Sequence, residues 1–135
     1  MPPSPGSEIP NGEVLYRWYR SDAFPKDQVE IPASLFGDTE LSCDWARFRP
    51  DPSTSFHVKE GKTRVIEISV CDEIKNPRNP KRKGQVVPAW KQQVVYDPIE
   101  DPVHGPNDAH SLIKGRKKMA VRDAIVANSN WWDIE

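Results

Sequence analysis

Residues 63–74, TRVIEISVCDEI, carry the clearest strand pattern in the chain. Val65, Glu67 and Ser69 alternate against Ile66, Ile68 and Val70, and the β-branched side chains suit a pleated surface. The segment runs into NPRNPKRKG, residues 76–84, which proline and glycine make a loop. Upstream, EVLYRWYR (residues 13–20) sets Val14, Tyr16 and Trp18 on one face and Leu15, Arg17 and Tyr19 on the other, a second strand. Residues 21–40 read as turns around a short apolar element, Ala33–Phe36, and residues 41–48 as a strand or a strand giving way to a turn. In QVVPAWKQQVVY, residues 85–96, Pro88 calls for an edge, a bulge or two short strands. Ala120, Val121, Ala124, Ile125 and Ala127 make an apolar face at helical spacing and predict a helix over residues 116–128. Strands first and a helix late indicate an α+β fold: a small mixed or antiparallel sheet with one main C-terminal helix.

The chain has 135 residues, enough for one domain. Hydrophobic residues make up 36%, with 14 prolines and 7 glycines, so much of the surface is irregular. Residues 1–12 hold little to bury and read as a disordered, Pro-rich arm ahead of a single α+β domain over 13–135. No stretch approaches the roughly 18 consecutive apolar residues of a spanning helix, which argues against a membrane protein. The N-terminus lacks the basic and apolar regions of a secretory signal. Net charge is −1, which excludes a uniformly basic nucleic-acid binder. Cys43 and Cys71 have no CxxC spacing and fit buried thiols in a reducing cytoplasm.

The densest polar segment is DPIEDPVHGPNDAH, residues 97–110, whose prolines at 98, 102 and 106 predict a stiff, shaped loop. His104 and His110 with Asp97 and Asp101 are the candidate catalytic residues, as acid–base pairs in which a carboxylate sets the imidazole tautomer. The spacing of His104 and His110 matches no strong metal signature, and no metal ligands are assigned. The same segment also reads as a surface loop in which Asn107 or Asp108 caps a short helix over residues 110–113, ended by Gly115. No P-loop, GxGxxG, HExxH, EF-hand or GxSxG pattern occurs, and no particular cofactor follows.

Charge is segregated. Lys75, Arg78, Lys81, Arg82, Lys83 and Lys91 occur without an intervening acid, as do Lys114, Arg116, Lys117, Lys118 and Arg122. The second group falls at the predicted helix start, where cations oppose the macrodipole and an anion would be favoured. It reads alternatively as a solvated basic face answered by Asp97, Glu100 or Asp101. Trp18, Trp45 and Trp90 read as core, with base stacking as the alternative; the adjacent Trp131 and Trp132 face opposite ways on a strand and offer a surface for a protein partner.

The landmark order LYRW (15–18), FGDTELSCDW (36–45), VVYDP (94–98) and NDAHSLIKGRKK (107–118) resembles a loosely defined group of small uncharacterised bacterial proteins. That resemblance implies no established activity; it marks Arg17, Ser42, Asp97, Asn107, His110 and Gly115 as parts of one site. The chain is also similar, more weakly, to ADP-ribosyltransferase-type folds. There an arginine or histidine on an early strand and a serine on a later one hold NAD, and a late glutamate does the chemistry. Arg17 and Ser42 match the first two roles; the paired-glutamate signature is absent, leaving Glu67, Glu100 and Glu135.

The leading expectation is a cytoplasmic accessory or binding domain that engages an anionic partner: nucleic acid, a nucleotide or an acidic protein surface. Its surface would combine Lys114, Arg116, Lys117 and Lys118 with Lys81, Arg82 and Lys83 and the Asn107–His110 turn, Arg17 and Ser42 completing the ligand contacts. The alternative is a small enzyme with a His/Asp site acting on NAD or a phosphodiester.

Overall fold

A computed structural model describes residues 3–133; the first two residues of the expected arm, and Glu135, lie outside the described residues. The strands in chain order are β1 (Val14–Tyr19), β2 (Glu40–Trp45), β3 (Arg64–Ser69), β4 (Arg78–Asn79), β5 (Gln85–Val86), β6 (Gln93–Tyr96), β7 (Ile99–Asp101), β8 (Gly105–Asn107), β9 (His110–Lys114) and β10 (Ser129–Asp133). The helices are α1 (Phe56–Lys59), α2 (Asp72–Lys75) and the longer α3 (Met119–Ala127). Six strands form an antiparallel sheet in the order β10-β3-β1-β2-β9-β6, while β4-β5 and β7-β8 are separate two-stranded ladders. The fold is α+β, with α3 as its one main helix. No helix among the described residues is long and apolar enough to cross a membrane.

Alternation decides the faces. Leu15, Leu41, Trp45, Ile66, Ile68, Val94 and Ile113 form the main core with Phe36, Ile74, Val121 and Ile125, which the Ala33–Phe36 turn, α2 and α3 bring against the sheet. On the other face Tyr16, Trp18 and Val65 form a smaller cluster.

Several expectations need correction. Residues 3–12 do not form a loose arm. The Gly6 and Ile9 amides donate to the carbonyls of Tyr96 (2.7 Å) and Val94 (2.8 Å), and the Tyr96 amide donates back to Ser7 (2.9 Å). The segment thus covers the β6 edge, which would otherwise stay unpaired, and its one large aliphatic side chain, Ile9, is fully buried. The 63–74 strand stops at Ser69; Asp72 and Glu73 instead open α2, where acids suit the helix start. Residues 97–110 contain the β7–β8 hairpin rather than a shaped loop, and residues 110–113 belong to a strand, not a capped helix. β9 bonds to β2 on one side and β6 on the other, so its ladder bonds outweigh the local capping signal. The main helix begins at Met119, three residues after the expected start. Pro88 separates β5 from β6, as two short strands.

Trp131 and Trp132 lie on opposite faces of β10 and are both half-buried. The Trp131 indole donates to the Val29 carbonyl at 3.2 Å and carries the Arg64 guanidinium over its ring at 3.9 Å. Trp132 meets the Tyr16 ring.

Gly115 closes the turn after β9 with φ +147°. Its neighbour Gln92 is buried, and Gln92 Nε2 donates to the carbonyls of Trp90 (2.8 Å) and Arg116 (2.9 Å). A Cβ at residue 115 would stand 2.7 Å from that nitrogen. Gly115→Ala should therefore lose about 2 kcal/mol or more of unfolding free energy in urea titration. Gly61→Ala, with φ +84° but nothing within 4 Å of the added carbon, should lose about 1 kcal/mol. Equal losses would show that only backbone conformation matters at Gly115.

Candidate functional site

β1 pairs with β3 along all six residues but with β2 only at Leu15↔Trp45 and Tyr16↔Asp44. Past Tyr16 the two strands part, and a cleft of about 310 Å³ opens against them. Arg17 and Trp18 of β1 face Ser42, Cys43 and Asp44 of β2; Phe56 and His57 of α1, Lys62, and Asp101 and Asn107 of the hairpin complete the walls, with His110 of β9.

Arg17 bridges the gap. Its Nη1 donates to the Ser42 carbonyl at 2.6 Å and its Nε to the Tyr19 hydroxyl at 2.7 Å, while the exposed Asp38 carboxylate lies 3.7 Å away. Asp44 is buried and its charge is answered within the wall: Arg49 Nε donates to Oδ2 at 2.8 Å and Asn107 Nδ2 to Oδ1 at 3.0 Å. A carboxylate so held is neutralised in place.

His110 Nδ1 lies 2.8 Å from the Asp97 carbonyl and 3.2 Å from Asp97 Oδ2. Both partners accept, so Nδ1 carries the proton it donates to them, and His110 lines the cleft. His57 stacks on Trp18 with centroids 5.0 Å apart, and its Nδ1 is buried without a partner among the described residues. Burial first, then Lys62, lowers the His57 pKa, so the ring is neutral at pH 7. His104 sits at the rim, stacked on Phe56 at 4.0 Å and 3.4 Å from Glu60, and so fastens the hairpin to α1. Asp101 Oδ1 accepts from the Val103 and His104 amides, bonds that lower its pKa and assign it to the turn. Burial pushes the Cys43 thiol up to about 12, which removes it as a nucleophile. No three His, Cys, Asp or Glu side chains among the described residues gather as a metal-binding group.

The cleft thus unites Arg17, Ser42, Asp101, Asn107 and His110, with Asp97 behind His110. It does not unite them with the basic clusters. Lys117 is buried, and its Nζ donates to the carbonyls of Ile113 (2.8 Å), Gly115 (2.9 Å) and Thr39 (3.2 Å); burial lowers its pKa to about 8. Lys75 is buried as well, donating to the Ile9 carbonyl at 2.7 Å. Both lysines hold backbone together and are withdrawn from any ligand surface. Lys81 and Lys118 border a separate hollow of about 530 Å³ beside Trp90, while Lys114 lines another with Lys91. Arg82 borders a further hollow on Trp90, and Lys83 and Arg116 are exposed.

Sequence reasoning missed Asp44, Arg49, His57, Lys62 and Phe56 as site residues; Trp18, read as core, is buried in the smaller cluster and also borders the cleft. One signal was available: Ser42 and Asp44 are two apart on a strand and so share a face. His57 and Lys62 carry no such signal, because the α1 turn that delivers them is set by the Ser55 cap and by packing of Val58 on the Trp18 cluster.

The His57 assignment has a pH consequence. Its folded pKa lies below the ordinary 6.5, so the unfolded chain binds the proton first on acidification. The stability this neutral ring contributes is present above about pH 6.5 and is lost as pH falls through the folded value. His57→Phe keeps a ring on Trp18 and removes the titration. Between about pH 7 and 5 its unfolding free energy should fall less than that of the wild type in urea melts; equal falls would assign the acid sensitivity to other groups.

Compared with known proteins, the chain matches no family model, no curated protein and no solved structure.

Proposed function

We propose that the chain is a binding domain that holds a small phosphate-bearing ligand of nucleotide type in the cleft between β1 and β2. One observation carries this reading: the buried acid of the cleft, Asp44, is already neutralised by Arg49 and Asn107. Of the described residues lining the cleft, Asp101 is then the one other acid facing Arg17 and Lys62, and the exposed Asp38 meets Arg17 from outside that lining at 3.7 Å. Arg17, held by Ser42 and Tyr19, and Lys62 beside the stacked Trp18–His57 pair suit an anion that carries a flat ring. The likeness to ADP-ribosyltransferase-type folds supports the same ligand class, since Arg17 and Ser42 stand on strands that face each other across the gap. A cytoplasmic setting accompanies this proposal, and the free thiols of Cys43 and Cys71 accord with it.

The test is titration calorimetry with ADP and with inorganic phosphate at about 50 and 200 mM salt. ADP should bind, more weakly at the higher salt, and Arg17→Gln should loosen it at least about tenfold. Heat-free titrations with both probes, or an Arg17→Gln variant that binds as the wild type does, would overturn the proposal.

The His110–Asp97 contact favours a second reading, an acid–base enzyme acting on NAD or a phosphodiester, with Nε2 as the base. On that reading the wild type hydrolyses NAD or a nitrophenyl phosphodiester, and His110→Ala loses about a hundredfold or more with its melting temperature retained. Loss of folding in the variant would instead make His110 a strut between β9 and the Asp97 turn. Absence of turnover in the wild type would leave the cleft as a binding site.

A further inference from the structure

The fold brings together two segments that are far apart in sequence. Lys81 and Lys118, one from each basic cluster, border the same hollow of about 530 Å³, together with Trp90, Met119 and Pro80. Trp90 also borders a second hollow of about 310 Å³ that Arg82 and Val86 share. Trp90 thus borders two hollows, each with at least one cation in its lining. Among the described residues, Asp123 is the one acid that lines either hollow. Met119 is 55% exposed and Val86 42% exposed, so apolar surface lies open beside these cations.

The arrangement is anchored. The buried Gln92 amide bonds the Trp90 carbonyl to that of Arg116, two residues ahead of Lys118, and the Gln92 backbone amide donates to the Lys75 carbonyl. Three segments are therefore clamped at one point, and Trp90 also packs partly against the core. The lysines, by contrast, are exposed and make no side-chain hydrogen bond among the described residues.

We infer that this surface is a stacking platform for single-stranded nucleic acid, separate from the β1–β2 cleft. An aromatic ring accepts any base, and the cations in the two hollows beside it answer the phosphates of consecutive nucleotides. A peptide in an apolar groove would want a longer continuous apolar wall; here each hollow is short and bounded by cations.

The experiment is fluorescence anisotropy of the intact chain with short labelled oligothymidylate and oligouridylate, across about 50–200 mM salt. Binding should weaken about tenfold or more over that range. Lys81→Gln/Lys118→Gln should flatten the logarithmic salt slope by about 1.4, two phosphates at roughly 0.7 each for a single strand. Trp90→Leu should loosen binding between about five- and a hundredfold. The double-lysine variant leaves the fold's own hydrogen bonds untouched, so it decides the matter even where Trp90→Leu lowers stability. Its ADP titration should match the wild type, which separates this platform from the cleft. A preference between the two oligonucleotides would name DNA or RNA as the ligand. No binding at low salt, variants that bind as the wild type does, or displacement by poly-glutamate as readily as by oligonucleotide would each overturn the inference, the last in favour of an acidic protein surface.

Discussion

The divergence of β1 from β2 after Tyr16 is the constraint on which the site depends. Backbone groups at a parting of strands need new partners or water. At Ser42 the partner is a side chain: the Arg17 guanidinium meets the carbonyl that β1 no longer faces. The same arginine takes the Tyr19 hydroxyl, so it is fixed in position while its charge stays close to the cleft. A longer β1–β2 ladder would have filled the gap with backbone and left no cleft. A gap without Arg17 would have exposed an edge inside the sheet.

The second element is the Asp44–Arg49–Asn107 cluster, which ties β2, the turn after it and the hairpin to one another. Burying a carboxylate is tolerable only with partners that satisfy both oxygens. Asn107 and Arg49 supply them, and in doing so they hold β8 beside the cleft. At the rim the Phe56–His104 stack fastens the hairpin tip to α1. The walls of the cleft are thus joined by polar and aromatic contacts between elements that share little apolar core.

Charge behaves differently from its appearance along the chain. Lys75 and Lys117 sit in basic runs yet point inward, where each satisfies backbone carbonyls at the seams between segments. Their neighbours Lys81 and Lys118 are exposed and border one hollow with Trp90. An ammonium on a flexible stem serves either purpose, and its local sequence does not distinguish them.

Period-two alternation in residues 13–20 and 63–74 and the apolar spacing from Ala120 to Ala127 determined the α+β class and most of the core, because faces follow directly from backbone periodicity. Arg17, Ser42, Asn107 and His110 were recognisable as candidate site residues through landmark order and residue chemistry. Only the tertiary structure decided that they share a cleft, that Asp44, Arg49 and His57 join them, and that Ile9 anchors the N-terminal segment. Those outcomes depend on which strand lies beside which and on where a ladder ends. Such pairings are made between residues dozens of positions apart, and no local pattern of hydrophobicity or charge encodes them. The strand at residues 110–114 is the clearest instance. Its capping signals favour a helix, and bonds to β2 and β6 on either side make it a strand.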